Sequence, residues 1–336
     1  MPDRRAISDR FLQQAGWGAA RRAFLAGDAS DRSYDRLWRG SETAVLMDAP
    51  PGKGDDPAAF LAIADHLRQL GLSAPRCLAR DLSQGFLLLK DLGDGLFARL
   101  VAADPRAEPG LYGAAVDVLL RLQAAPPPPG LPDLSAAEWA NAAAFALDWY
   151  RFAVTGDRMD STTFRALLTG LLQRHADGPR VMILRDFHAE NLLWLPDRTG
   201  LARVGLLDFQ LAQLGQPGYD LVSMLQDARR DVSRETVAKA QAHFLTMTGQ
   251  EEALFRPAYA ALGAQRALRI LGVFARLCLV AGKAGYLSLM PRVWAQLQEN
   301  LAQPELAPLR RLCDQLLPAP DPDVLRRIGE KCGRFR

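Results

Sequence analysis

Residues 184–195 read LRDFHAENLLWL, with an Asp, a His, a Glu and an Asn inside six positions and apolar sequence on either side. The flanking runs VMIL (181–184) and NLLWL (191–195) read as short strands, so the polar side chains collect on the loop that joins two β segments. A further apolar run, RVGLLDF (203–209), carries Asp208 seventeen residues beyond Asn191. Singly, Asp186 could cap a turn, Asn191 open a strand and Asp208 close another. Taken together, in this order and at the ends of apolar runs, they form a pattern that the single readings do not explain. A short loop between strands gives such groups the rigidity that positioning demands.

Outward from this stretch the chain changes character. Residues 1–20 read as a polar helix. Strands follow at Arg22–Ala26, Tyr34–Arg39 and Thr43–Asp48, separated by the Gly27–Ser33 loop and a GSE turn. Pro57–Leu70 has a helical stripe (Phe60, Leu61, Ile63, Ala64, Leu67, Leu70) ended by Gly71. A fourth strand, Gly85–Lys90, leads into DLGDG, a crossing point near 89–94. Beyond it, helices are expected at 111–123, 139–154, 163–175 and over much of 233–316, with the prolines at 126–129 forming a rigid loop. No internal repeat is present. The expected fold is α+β and bilobal: a small β-rich N-lobe (1–92) and a large, mainly helical C-lobe (93–336) with a β patch in its middle.

Composition narrows the partners. The chain has 336 residues, long for a single core, and a formal net charge of +3, too small to favour nucleic acid or a membrane surface. Its four cysteines, Cys77, Cys278, Cys313 and Cys332, form no CxxC pair, so reduced, packed thiols are expected. The N-terminus lacks the apolar core of a signal peptide, and no apolar run approaches a membrane span of ~20 residues. A cytoplasmic protein is the expectation, and a monomer the default.

Asp186, Asn191 and Asp208 resemble the catalytic loop and metal site of protein kinases, in which an Asp is followed five residues later by an Asn and, after a strand, by a metal-binding Asp. Arg185-Asp186, Asn191, Leu207-Asp208 and PGYDL (217–221) together resemble the aminoglycoside phosphotransferases, the small-molecule branch of that superfamily. Asp220 takes the place of a buried structural carboxylate. No activation segment of protein-kinase length precedes it, so protein substrates are not expected. Further pieces, among them LAGDASDRSYDRL, AVLMDAPP, LLLKDLGDGLF and RILGVFARLCLVAGKAGYL, are similar to the anomeric kinases of cell-wall recycling. That resemblance implies ATP and Mg2+ as cofactors and transfer to the C1 hydroxyl of N-acetylmuramate or N-acetylglucosamine. Asp186 takes the role of base, and Asn191 and Asp208 that of metal ligands.

One departure stands out. The third-strand position that holds a phosphate-pairing Lys in kinases is Met47, and no Glu occurs between Glu42 and Glu108 to act as its partner. Losing both is coherent, since neither charge is left stranded. The triphosphate still needs a cation: Lys53, just past the MDAPP turn, is the first candidate and Arg32 the second, although Lys53 fits a solvated loop equally well. Ser30 and nearby amides are candidate phosphate contacts, set against a simple hairpin turn. The segment 88–92, with Lys90 and Leu92, takes the place of an adenine-binding hinge.

Candidate substrate residues are weaker. His188 is read as supporting the loop rather than moving a proton, and Glu190 as facing solvent or the sugar. Asp148 and Trp149 fit either a sugar platform or a helix packing face. Arg276, Lys283 and Tyr286 fit sugar or carboxylate contacts, or, for Arg276, a side chain snorkelling off a core helix. Two other functions remain open. An aminoglycoside- or choline-type kinase needs an acidic pocket, yet residues 221–336 hold 17 Lys/Arg against 11 Asp/Glu. A pseudokinase has no need to keep Asp186, Asn191 and Asp208 together.

Overall fold

Alternation in SYDRLWR and ETAVLMD turns every second side chain to the same face of a twisted sheet, and that face builds the first core. The computed structural model describes residues 3–27, 32–54 and 56–335. Strands β1 (Arg21–Gly27), β2 (Ser33–Arg39), β3 (Glu42–Asp48), β4 (Cys77–Asp81) and β5 (Phe86–Lys90) form one antiparallel sheet in the order β1-β2-β3-β5-β4. Leu37, Ala44, Leu46, Phe86 and Leu88 pack against Phe11 and Leu12 of helix α1 (Arg4–Gln14) and against Trp17. Helix α2 (Pro57–Gln69) is capped by Asp56, whose carboxylate accepts the Ala58 N–H at 2.8 Å, with Pro57 opening the first turn.

Strand β4 was not expected from the sequence. It is short, lies at the sheet edge and follows Pro75, and its CLARD sequence has only a half-buried alternation, so it reads as loop. The four other strands and α2 fall within a residue or two of their expected bounds. The expected helix over residues 1–20 is shorter, ending at Gln14.

By packing, the described residues group into two compact units. The first takes in residues 1–128 and 189–212, the second residues 129–188 and 213–336. Besides the sheet, α1 and α2, the first contains α3 (Phe97–Ala103), α4 (Glu108–Gln123) and a hairpin. That hairpin joins β7 (Leu192–Trp194) to β8 (Val204–Leu206), with Leu192 opposite Leu206. The chain passes from the first unit to the second in the proline run 126–129. It returns between His188 and Ala189, inside the opening stretch. We propose the division at residue 92, into a nucleotide lobe and a sugar lobe, as a functional one.

The second unit is helical around a small two-stranded ladder, β6 (Val181–Ile183) with β9 (Gln213–Gly215). The expected strands beside the polar loop are real, but they belong to different sheets. The helices are α5 (Ala136–Ala143), α6 (Phe152–Thr155), α7 (Thr162–His175), α8 (Tyr219–Leu225), α9 (Arg234–Thr248) and α10 (Glu252–Ala281). They are followed by α11 (Met290–Leu301), α12 (Ala307–Leu316) and α13 (Pro322–Gly329). Helix α10 runs through the core, burying Leu268, Leu271, Ala275 and Cys278 completely. At Gly272 it meets the backbone of Phe145 so closely that an added Cβ would lie 2.2 Å from the Phe145 carbonyl. The expected helix over 139–154 is interrupted beside this contact by a π turn at Ala146–Arg151, a wider coil that apolar spacing does not distinguish from α.

Candidate active site

Only two non-glycine residues among those described have a positive φ, Arg185 at 72° and Asp208 at 55°. For a side-chain-bearing residue the left-handed conformation costs about 1–2 kcal/mol, so it persists only where its surroundings enforce it. Both residues fall in the segments singled out from the sequence.

In the second unit the enforcement comes from α8. The Asp220 carboxylate is fully buried and accepts the Leu184 N–H at 2.6 Å and the Arg185 N–H at 2.8 Å. Ser223 donates to the Arg185 carbonyl at 3.0 Å. Burial pushes the Asp220 carboxyl up to about 7, while the two amides pull it back by favouring the charged form. The backbone of Arg185 is thereby fixed just before Asp186, whose N–H turns back to the Leu184 carbonyl at 2.9 Å. Asp186 itself is half-buried. His188 is buried, and its Nε2 lies 3.4 Å from Arg229 Nη1. Burial, against Asp227 and assisted by Arg229 and Arg266, lowers its pKa to about 4, so the ring is neutral near pH 7. A neutral, buried imidazole fits support of the loop.

In the first unit the β7–β8 hairpin does the positioning. The Leu207 N–H donates to the Asn191 carbonyl at 2.9 Å, extending the ladder by one step, so Asn191 and Asp208 emerge at the same end of the hairpin. Phe209 is fully buried and stacks on Phe60 of α2 with ring centroids 4.8 Å apart. Burying such a ring gains about 2–3 kcal/mol, enough to offset the strain at Asp208 beside it. Asp208 Oδ1 accepts from Gln210 Nε2 at 2.8 Å and from Arg32 Nη2 at 3.2 Å. Arg32 is 4% exposed and the Asp208 side chain about a third exposed, so this ion pair, across 176 residues of sequence, is desolvated on the arginine's side and open to solvent on the carboxylate's.

The remaining candidates are placed as follows. Met47 is buried in β3 between Tyr34 and Leu87 in register, and no cation occupies its position. Lys53 is exposed in the turn after β3. Lys90 is exposed at the end of β5, its N–H bonded to the Arg76 carbonyl at 2.7 Å, and Leu92 is half-buried. Ser30 lies outside the described residues. Glu190 is exposed. Asp148 and Trp149 sit half-buried on the π turn, and the exposed Arg276 guanidinium lies 5.6 Å from the Trp149 ring centre. Lys283 and Tyr286 line one cleft with Arg229, Gly285 and Leu289. Sequence reasoning missed Gln210 and Arg229. Gln210 follows Asp208 at a spacing that carries no signal of its own, whereas the Arg229-Arg230 pair just after α8 was a visible cue.

Among the described residues no group of three or more His, Cys, Asp or Glu is placed to hold a metal, and no helix is long and apolar enough to cross a membrane. All four cysteines are free thiols, as expected.

Comparison with known proteins agrees with this architecture. Residues 22–261 match the family model described as the phosphotransferase enzyme family. An N-acetylmuramate/N-acetylglucosamine kinase of Caulobacter vibrioides is 38% identical over 94% of this chain and 97% of its own. Another of that name from Pseudomonas putida is 31% identical over 92% and 93%. A choline/ethanolamine kinase family protein from Mesorhizobium loti superposes with a TM-score of 0.61 at 14% identity, covering 98% of this chain and all of its own, a likeness of fold alone. With the kinase-like α+β architecture, the two enforced turns and a match over most of its length, the chain belongs to the phosphotransferase enzyme family.

Proposed function

We propose that the protein transfers the γ-phosphoryl group of ATP to the anomeric hydroxyl of N-acetylmuramate or N-acetylglucosamine. The observation that carries this reading is the pair of enforced left-handed residues, Arg185 before the candidate base and Asp208 at the candidate metal site. The names of the relatives, which match over nearly the whole chain, supply the acceptor. In this reading Asp186 orients the C1 hydroxyl and takes its proton as the oxygen attacks the γ-phosphorus. The bond from that phosphorus to the β–γ bridging oxygen breaks, and ADP leaves. Asn191 and Asp208 fit Mg2+, because both offer oxygen and Mg2+ takes one or two protein ligands, completing its shell with phosphate and water. The ion would neutralise charge on the phosphates.

Arg32 is the cation we assign to the task of the missing third-strand lysine. It is buried and already directed at Asp208, whereas Lys53 is exposed. Its planar fork suits phosphate oxygens as well as a carboxylate, so with nucleotide bound it would turn from Asp208 to the phosphates. Lys90 and Leu92 remain the proposed adenine hinge, and Asp148, Trp149, Glu190 and Arg276 proposed sugar neighbours.

The test is turnover with Mg-ATP against N-acetylmuramate, N-acetylglucosamine, an aminoglycoside and choline, following ADP release. Release with the amino sugars supports the reading. Turnover of the amines alone overturns it, and no turnover with any acceptor favours a non-catalytic role.

A further inference from the structure

The second unit contains an open cleft of about 400 Å³, lined by Arg229, Lys283, Gly285, Tyr286 and Leu289. That volume is in the range of small-molecule sites. Two cations and a phenol face one space whose floor is otherwise apolar or without a side chain. Of the nearby carboxylates, Asp231 pairs with Arg292 at 2.6 Å, while Asp227, buried beneath the cleft residue Arg229, accepts the Arg229 backbone N–H at 2.8 Å through Oδ1 and leaves Oδ2 buried without a hydrogen bond among the described residues. Among the described residues neither Arg229 nor Lys283 forms an ion pair with a carboxylate.

The cleft walls are held in place. Tyr286 packs on Phe274 of α10 with ring centroids 5.0 Å apart, and Lys283 follows Gly282, whose φ of 67° ends α10 in a left-handed cap. Arg229 Nη1 rests 3.4 Å from the buried His188, two residues on from Asp186. The cleft is thus tied to the loop that carries the proposed base.

N-acetylmuramate and N-acetylglucosamine differ by one group, a lactyl ether on O3 that ends in a carboxylate. We propose that Arg229 and Lys283 bind this carboxylate and so set the enzyme's preference for the acidic sugar over the neutral one. The inference rests on the amino-sugar reading given above. Arg229 offers a planar fork that can hold a carboxylate by two hydrogen bonds, and Lys283 adds a point charge. Tyr286 supplies an aromatic wall with a hydroxyl at its edge. A neutral sugar makes none of the charged contacts, so the cleft discriminates by attraction to the acid rather than by excluding the other sugar.

Wild-type enzyme is first assayed with both sugars. Arg229→Gln, Lys283→Met and Lys283→Arg are then compared by kcat/KM for each sugar, with thermal denaturation as a check on folding. The expected result is a fall of roughly tenfold or more in the N-acetylmuramate to N-acetylglucosamine ratio for Arg229→Gln and Lys283→Met, the size of a lost charge-assisted hydrogen bond. Lys283→Arg keeps most of the ratio. The wild-type KM for N-acetylmuramate also rises with salt more steeply than that for N-acetylglucosamine. A ratio that stays unchanged in both variants, whether both sugars suffer or neither does, overturns the carboxylate assignment while leaving the kinase reading intact. Wild-type enzyme that phosphorylates neither sugar overturns the kinase reading itself, and this is seen before any variant is made.

Discussion

Arg32 Nη2 lies 3.2 Å from Asp208 Oδ1, joining the residue just before β2 to the end of the β7–β8 hairpin. Arg32 is the cation we propose in place of the lysine that Met47 cannot supply. Removing an anion from a buried guanidinium is costly, so an anionic group beside Arg32 is favoured. Asp208 serves in this state, and we assign the nucleotide phosphates to that role in the working enzyme.

Replacing Arg32 by Ala is expected to raise the KM for ATP by about tenfold or more, the range of one or two charged hydrogen bonds. Lys53→Ala should have a smaller effect, because that side chain is exposed. Steady-state kinetics with varied ATP checks both. A larger effect at Lys53 would return the role to it.

Asn191→Ala removes one of the two proposed oxygen ligands while leaving the Leu207 N–H bond to the Asn191 carbonyl available. The Mg2+ concentration for half-maximal rate should rise severalfold or more, with little change in melting temperature. Titration of Mg2+ at fixed ATP reads this directly. An unchanged Mg2+ requirement would remove Asn191 from the metal site.

His188 makes stability depend on pH. Its pKa falls to about 4 in the folded chain, chiefly through burial, from an ordinary 6.5. Between those values the unfolded chain binds a proton that the folded chain refuses, so stability declines as pH falls from 6.5 to 4, by up to about 3 kcal/mol. Asp220, pushed up to about 7, has the opposite slope, but it is present in both proteins compared. His188→Gln should therefore lose less stability than wild type between pH 7 and 4.5, as measured by calorimetry. Equal losses would contradict the buried, neutral imidazole.

Two glycines should respond with opposite signs. Gly272→Ala places a Cβ 2.2 Å from the Phe145 carbonyl and should cost about 1–3 kcal/mol. Gly170→Ala, exposed inside α7 with nothing within 4 Å, should gain up to about 1 kcal/mol. Denaturant unfolding of the two variants measures the pair, and a neutral Gly272→Ala would show that α10 can move away from Phe145.

Much of this was legible in the sequence, because it is local. The candidates Asp186 and Asn191 stand out by their spacing within one loop, and Asp208 by closing an apolar strand; their roles remain our proposal. The sheet strands β1, β2, β3 and β5 announce themselves by apolar runs between turn residues. What stayed hidden depends on residues distant in the chain. Arg32 and Asp208 meet across 176 positions, and no local pattern links them. Strand β4 exists because β5 offers it an edge, not because CLARD favours extension. The left-handed backbone at Arg185 is imposed by Asp220, 35 residues later. Arg229 gains meaning only when the cleft brings Lys283 and Tyr286 beside it.

We propose phosphoryl transfer to an anomeric hydroxyl, with Asp186 as the base. The most direct measurement is phosphorus–proton correlation NMR of the product formed from N-acetylmuramate and Mg-ATP, run in parallel with Asp186→Asn. The expected product has a phosphorus that couples to the C1 proton of the sugar, and it is almost completely lost in the variant despite retained ATP binding. Phosphorus coupled to any other sugar position, or undiminished turnover by Asp186→Asn, would contradict the proposal.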